Sequence, residues 1–267
     1  MLPVLSKEQL FKSAPSIFTK DSSHKTSQKY QAISTEQIID KLMSEGFFPT
    51  WATQTRSQCD ESKAFAKHML RFQRYDAQKN SHGLYPEIVL VNSHDGLSSY
   101  RLMAGLFRVV CSNGMIAGQT YNEIRIKHQG DVVGNVIEGT YKVIDTASQM
   151  LDVADDMASI KLNDDEKRVF AEVAHALKFS DKDNSMKVAP DALLKPRRYA
   201  DQKDNDLFTV FNVIQENLIK GGIRSYRLNK YGYTTRTKTR EVKAIDQNVK
   251  LNRALWSLTE KMMDLKR

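Results

Sequence analysis

Two stretches hold residues whose types and spacing could do chemistry. The first, VNSHDGLSSYRLMAGLFRVVCSNGM at 91–115, sets His94, Asp95, Arg101, Arg108 and Cys111 among apolar runs. His94 beside Asp95 could be a general base with its orienting carboxylate. Chain neighbours rarely face each other, however, and Asp95-Gly96 between strand-like runs is a turn signal in its own right. Cys111 adjoins only Ser112 and Asn113, neither of them a base, so a small core thiol is the economical role. An enzyme would need His94, Asp95, Arg108, Cys111 or His128 to converge in one pocket. The stretch reads more readily as strands and turns, and the chain more readily as a non-enzyme.

The second stretch is IKGGIRSYRLNKYGYTTRTKTREVK, residues 219–243. Arg224, Arg227, Lys230, Arg236, Lys238, Arg240 and Lys243 alternate there with Tyr226, Tyr231 and Tyr233. Cations neutralise phosphates and release counterions, while tyrosine rings offer flat faces to unpaired bases. Threonine hydroxyls between them can reach phosphate oxygens. In a strand Arg236, Lys238 and Arg240 would share one face, which also suits an edge hairpin protected by charge. Lys195, Arg197 and Arg198 could join the same patch, and Lys67, Arg71, Arg101 and Arg108 could line a second basic surface on a sheet.

Charge placement supports the emphasis on this end of the chain. Residues 218–267 hold 13 Lys and Arg against 4 Asp and Glu, and the rest of the chain holds 27 against 28. The net charge of +8 therefore arises in the last fifth of the sequence, as a polyanion-binding element or a solvated basic face would require.

Other chemistries lack their signatures. The six His stand at 24, 68, 82, 94, 128 and 175, with no pair three or four apart, so no local metal site is announced. No phosphate-binding glycine loop occurs, and no cofactor is expected. Asp152, Asp155 and Asp156 have helical spacing and read as a solvated face. Cys59 and Cys111 are too few for a disulfide framework. With neither a spanning apolar run nor a secretion signal, a cytoplasmic protein without membrane contact is expected.

The elements that would position these residues follow from periodicity. Residues 1–30 read as a flexible arm, and 31–180 as a core. Ser34 with Gln37 opens a helix whose apolar face is Ile38, Ile39, Leu42 and Met43. Period-two alternation from Phe65 puts Lys67, Arg71 and Gln73 on one strand face. EIVLVNS, YRLMAGLFRVVC and EIRIKH add strands joined by short turns, an antiparallel meander. Helices are expected over 132–160, after the cap Asn163, over 207–218, and from Asp246 onward. Residues 181–267 form a basic C-terminal region packing on the core. The class expected is α+β, a meander flanked by helices, with a basic loop or hairpin and a C-terminal helix.

The motifs at Asn92–Tyr100, Gly105–Gly114, His128–Tyr141, Pro196–Leu207, Gln215–Gly222 and Asn252–Trp256 resemble one uncharacterised family. It comprises the YfjQ-, YafZ- and YubP-type proteins of prophages, plasmids and integrating elements. The resemblance implies a mobile-element setting and brings no catalytic residues with it. A basic meander followed by a long helix is also similar, in architecture alone, to single-strand annealing proteins, which would imply a homo-oligomer. The function expected is binding or annealing of single-stranded DNA in recombination or replication. The alternative is an anti-defence or regulatory module whose basic segment docks on an acidic host protein.

Overall fold

The computed structural model describes residues 2–21, 34–56, 63–96, 98–109, 113–116, 118, 121, 123–179, 186–228, 231 and 233–267. They divide into two compact units, Met1–Leu151 and Asp152–Arg267.

The first unit is built on a six-stranded antiparallel sheet. Its strands are β1 (Phe47–Gln54), β2 (His68–Arg74), β3 (Leu84–Asn92), β4 (Tyr100–Arg108), β5 (Asn113–Ile116) and β6 (Ile124–Ile126). They run in the order β1-β2-β3-β4-β5, with β6 also paired to β4. The register sets Leu70 against Leu90 and Leu90 against Leu102, so these fully buried side chains share one face. Helix α2 (Thr35–Ser44), capped by Ser34, contributes Ile38, Ile39 and Leu42 to the core. Helix α3 (Val132–Ser159) approaches the Leu102 face so closely that a Cβ on Gly139 would lie 2.8 Å from Leu102 Cδ1. The opposite face carries Met69, Val89, Val91 and Met103, also buried. Near-continuous apolar strands are what two buried faces require.

The second unit surrounds α5 (Leu207–Lys220), which is buried at every position from Leu207 to Leu218. A helix buried on every side belongs at the centre of its unit, and its buried polar residues Asn212, Gln215, Glu216 and Asn217 are partnered there. Helix α4 (Asp164–Ala176) begins with a capping box between Asn163 and Glu166. Helix α6 (Ile245–Lys266) sets Trp256 edge-on to Phe211, with ring centroids 5.7 Å apart. A three-stranded sheet of β7 (Met186–Lys187), β8 (Arg224–Leu228) and β9 (Thr234–Lys238) completes the unit.

The α+β class, the meander and the C-terminal helix are as the sequence predicts. Part of the expected N-terminal arm is helical. Residues 7–13 form α1, closed by a capping box between Ser6 and Gln9, and Leu10, Ala14 and Ile17 are buried. Leu5 N donates to Pro49 O at 2.8 Å and ties this segment to β1. The rest of the expected arm, 22–30, lies outside the described residues. Strand β1 was masked in the sequence by Pro49, which suits an edge strand. Asp246 sits in the first turn of α6 instead of capping it.

Candidate nucleic-acid interface

The basic stretch folds as the hairpin β8–β9, and its base is locked to the end of α5. Gly221 and Gly222 terminate that helix with φ of 63° and 79°, backbone that favours glycine. A Cβ on Gly221 would meet the Arg240 carbonyl at 2.6 Å, so only glycine admits the returning strand there. Gly222 N donates to Thr239 O (2.8 Å), and Thr239 N to Ile223 O (2.9 Å). Arg197 donates to Asn217 Oδ1 at 2.8 Å and also to Gly221 O. Arg198 and Lys220 both pair with Glu216, the latter at 2.9 Å. Arg197 and Arg198 are thus engaged in the scaffold of the hairpin instead of extending its basic patch.

Pairing in the hairpin sets Arg224 against Lys238 and Tyr226 against Arg236. These four side chains therefore share one face, and all are exposed, Tyr226 to 53 %. The opposite face carries Ser225, buried, with Arg227 and Thr235 exposed. Tyr231 and Tyr233, at and after the turn, are each 71 % exposed. Arg240 lies just beyond β9, exposed, while its carbonyl accepts from Lys178 Nζ at 3.3 Å. Burial lowers that amine to about 8. Lys243 has Glu241 3.8 Å away. Lys230 lies outside the described residues.

Electrostatically the hairpin is uncompensated. Residues 221–240 include six Lys and Arg and no carboxylate. Among the described residues, no acidic side chain pairs with Arg224, Arg227, Arg236, Lys238 or Arg240. Like charges directly opposite, as Arg224 and Lys238 are, weaken a hairpin. A face of this kind suits an anion that supplies the missing charge.

Of Lys67, Arg71, Arg101 and Arg108, expected to line a second basic surface on the sheet of the first unit, Arg71 is turned into the interior. Arg71 is 5 % exposed and donates to Glu87 Oε2 at 2.8 Å. Gly114 lies flat against its guanidinium, where a Cβ would fall 2.1 Å from Cζ. Gln73 is fully buried and donates to Glu87 Oε1 at 3.3 Å. Burial raises the pKa of Glu87, and Arg71 opposes that rise. Arg101 pairs with Glu123 at 2.9 Å. Lys67 precedes β2, its carbonyl accepting from Thr55 N at 2.8 Å, and is half-buried. Arg108 is half-buried at the far end of β4. Alternation identifies which residues share a face, but it does not reveal that both faces are covered.

The first unit does gather polar residues that sequence spacing leaves apart. His68, His94 and His128 are 0, 1 and 5 % exposed. Ring centroids are 5.5 Å apart for His68 and His94, and 6.4 Å for His94 and His128. Ser16 Oγ and Thr35 Oγ1 lie 2.9 and 2.8 Å from the two nitrogens of His68. Asn92 Nδ2 donates to Thr35 Oγ1 at 3.1 Å, and His128 Nε2 donates to Asn92 Oδ1 at 2.9 Å. Burial, reinforced by neighbouring imidazoles, lowers His68 to about 3 and His94 to about 4. Asp95 accepts from Ser93 Oγ at 2.6 Å.

Two of the candidates for an enzyme pocket, His94 and His128, therefore meet, joined by His68. The signal for His68 was its strand position, opposite Asn92 in the register. Arg108 ends the strand that Tyr100 begins, and Tyr100 is the residue whose ring lies 4.7 Å from His128. Cys111 lies outside the described residues. Among the described residues no three His, Cys, Asp or Glu are placed to share a metal ion. No helix among them is long and apolar enough to cross a membrane.

Fold and site together define an α+β protein that presents an anchored, uncompensated basic hairpin. Residues 24–256 match the Domain of unknown function (DUF932), and the chain belongs to that family. The UPF0380 proteins YfjQ and YafZ of Escherichia coli (strain K12) are each 42% identical to it over 259 residues. Those alignments cover 97% of this chain and 92% of each relative. No solved structure gives a significant match, so the likeness to single-strand annealing proteins gains no support.

Proposed function

We propose that the protein binds single-stranded DNA without acting on it chemically, in the recombination or replication of a mobile element. The observation that carries this reading is the exposed hairpin face on which Arg224, Arg236 and Lys238 flank Tyr226 with no carboxylate to balance them. Phosphates would supply the missing charge, and unpaired bases would stack on Tyr226, Tyr231 and Tyr233. Exposed rings between cations favour a single strand over duplex DNA, whose bases are already stacked, and over an acidic protein patch. The base of the hairpin, held by Arg197, Asn217 and Gly221, keeps the face presented.

Replacing Arg224, Arg236 and Lys238 together by Ala tests the reading. All three are exposed, and two of them face each other as like charges, so circular dichroism should be unchanged and melting no lower. Single-strand binding should weaken, and its log–log salt slope should flatten by about 2, at ~0.7 per lost phosphate contact. Unchanged affinity and slope would remove the hairpin from the interface.

A further inference from the structure

A groove in the first unit, distinct from the hairpin, runs between β6 and the first turns of α3. Its volume is about 520 Å³, and it is lined by residues 124–127 and by Gln129, Asn135, Glu138, Gly139 and Lys142. Asn135, Glu138, Gly139 and Lys142 recur at helical spacing and form one face of α3. Residues 135–142 rise about 10 Å along the helix, and 124–127 extend about 10 Å along the strand, the length of three residues of extended chain. Ile124, Ile126 and Gly139 make an apolar floor, its depth set by the close approach of Gly139 to the sheet.

The rim is polar and basic. Lys127, Gln129 and Asn135 are exposed and have no side-chain partner among the described residues. Lys142 pairs with Glu138 at 2.6 Å, both about two-thirds exposed, where such a pair holds little energy. Arg125 pairs with Glu123 and remains largely exposed. Strand β6 pairs with β4 on one side, and among the described residues no strand pairs with its other edge.

We propose that this groove docks an acidic, extended peptide segment of a partner protein as an added strand on β6. Main-chain groups of β6 would pair with the peptide backbone, and alternate apolar side chains would enter over Ile124 and Ile126. Arg125, Lys127 and Lys142 against the carboxylates of Glu123 and Glu138 leave a net positive rim, with Lys127 unpaired among the described residues, which favours acidic residues at the remaining positions. A nucleic-acid strand fits less well, because among the described residues no aromatic side chain lines the groove to stack a base.

Selection of random heptapeptides by surface display on the full chain, followed by anisotropy of the enriched peptides, tests the assignment. Enriched peptides should alternate Asp or Glu with β-branched residues. They should bind K127E/K142E about tenfold more weakly, and bind the hairpin variant R224A/R236A/K238A unchanged. N135W, which fills the groove without altering charge, should weaken them too. No enrichment, enrichment without acidic bias, or equal binding to K127E/K142E and N135W would overturn the proposal. So would loss of binding in the hairpin variant alone, which would return these peptides to the basic hairpin.

Discussion

Acidification should destabilise the protein well above the pH at which carboxylates protonate, and the buried histidines set the size of the effect. The native pKa values of His68 and His94, about 3 and about 4, lie below the ordinary value of 6.5. Stability from these groups is therefore complete above about pH 6.5 and is lost as pH falls from there toward the native values. At pH 5 the unfolded imidazoles are protonated while the native ones are not, which costs about 2 kcal/mol for each and about 4 kcal/mol for both. For a cooperative unit of this size that corresponds to a melting temperature lower by roughly 10 °C. Urea titrations at pH 7, 6 and 5, with imidazole nitrogen spectra across the same range, measure both sides of the linkage. His94→Asn, at the weakest contact of the cluster (3.4 Å to Thr35 Oγ1), should shrink the loss between pH 7 and 5 by about 2 kcal/mol. A native His68 or His94 titrating near 6.5, or a pH dependence untouched by the substitution, would refute the reasoning.

Other expectations follow from single contacts. Arg71→Leu leaves the Glu87 carboxylate buried without its cation and should cost about 3–5 kcal/mol at pH 7 in urea denaturation. The deficit should narrow as pH falls, because burial already raises the pKa of Glu87 and its protonation removes the uncompensated charge. Gly114→Ala drives a methyl into the Arg71 guanidinium and should cost about 1–3 kcal/mol in the same assay. Asn252→Ala removes the acceptor 2.8 Å from Gln215 Nε2 between α5 and α6, a loss of about 1–3 kcal/mol in thermal melts. Arg197→Ala should speed amide exchange across 222–240 and weaken single-strand binding while the rest of the exchange pattern holds.

The sequence made the frame legible wherever one physical signal dominated. Asn163 with Glu166, and Ser34 with Gln37, mark helix starts because their side chains satisfy backbone N–H groups that are otherwise orphaned. The same signal at Ser6 and Gln9 stands in a short, polar context, where tertiary burial of Leu10 and Ile17 decides the outcome. The pairing of Arg236 and Lys238 on one face is readable from period two alone, whereas the addition of Arg224 and Tyr226 requires the hairpin register. Arg71 misleads because alternation cannot distinguish a solvated face from one that buries an ion pair. Glu87 and Gly114, which explain it, lie 16 and 43 residues away. The histidines illustrate the same limit, since three strands and loops must close before His68, His94 and His128 are neighbours.

The most direct measurement is fluorescence anisotropy of the intact protein with labelled single-stranded and duplex oligonucleotides across a salt series. The account predicts tighter binding to the single strand, with log affinity falling linearly in log salt at a slope of about −3, for four or five neutralised phosphates. Absence of binding at low salt, or affinity indifferent to salt and to strandedness, would contradict it.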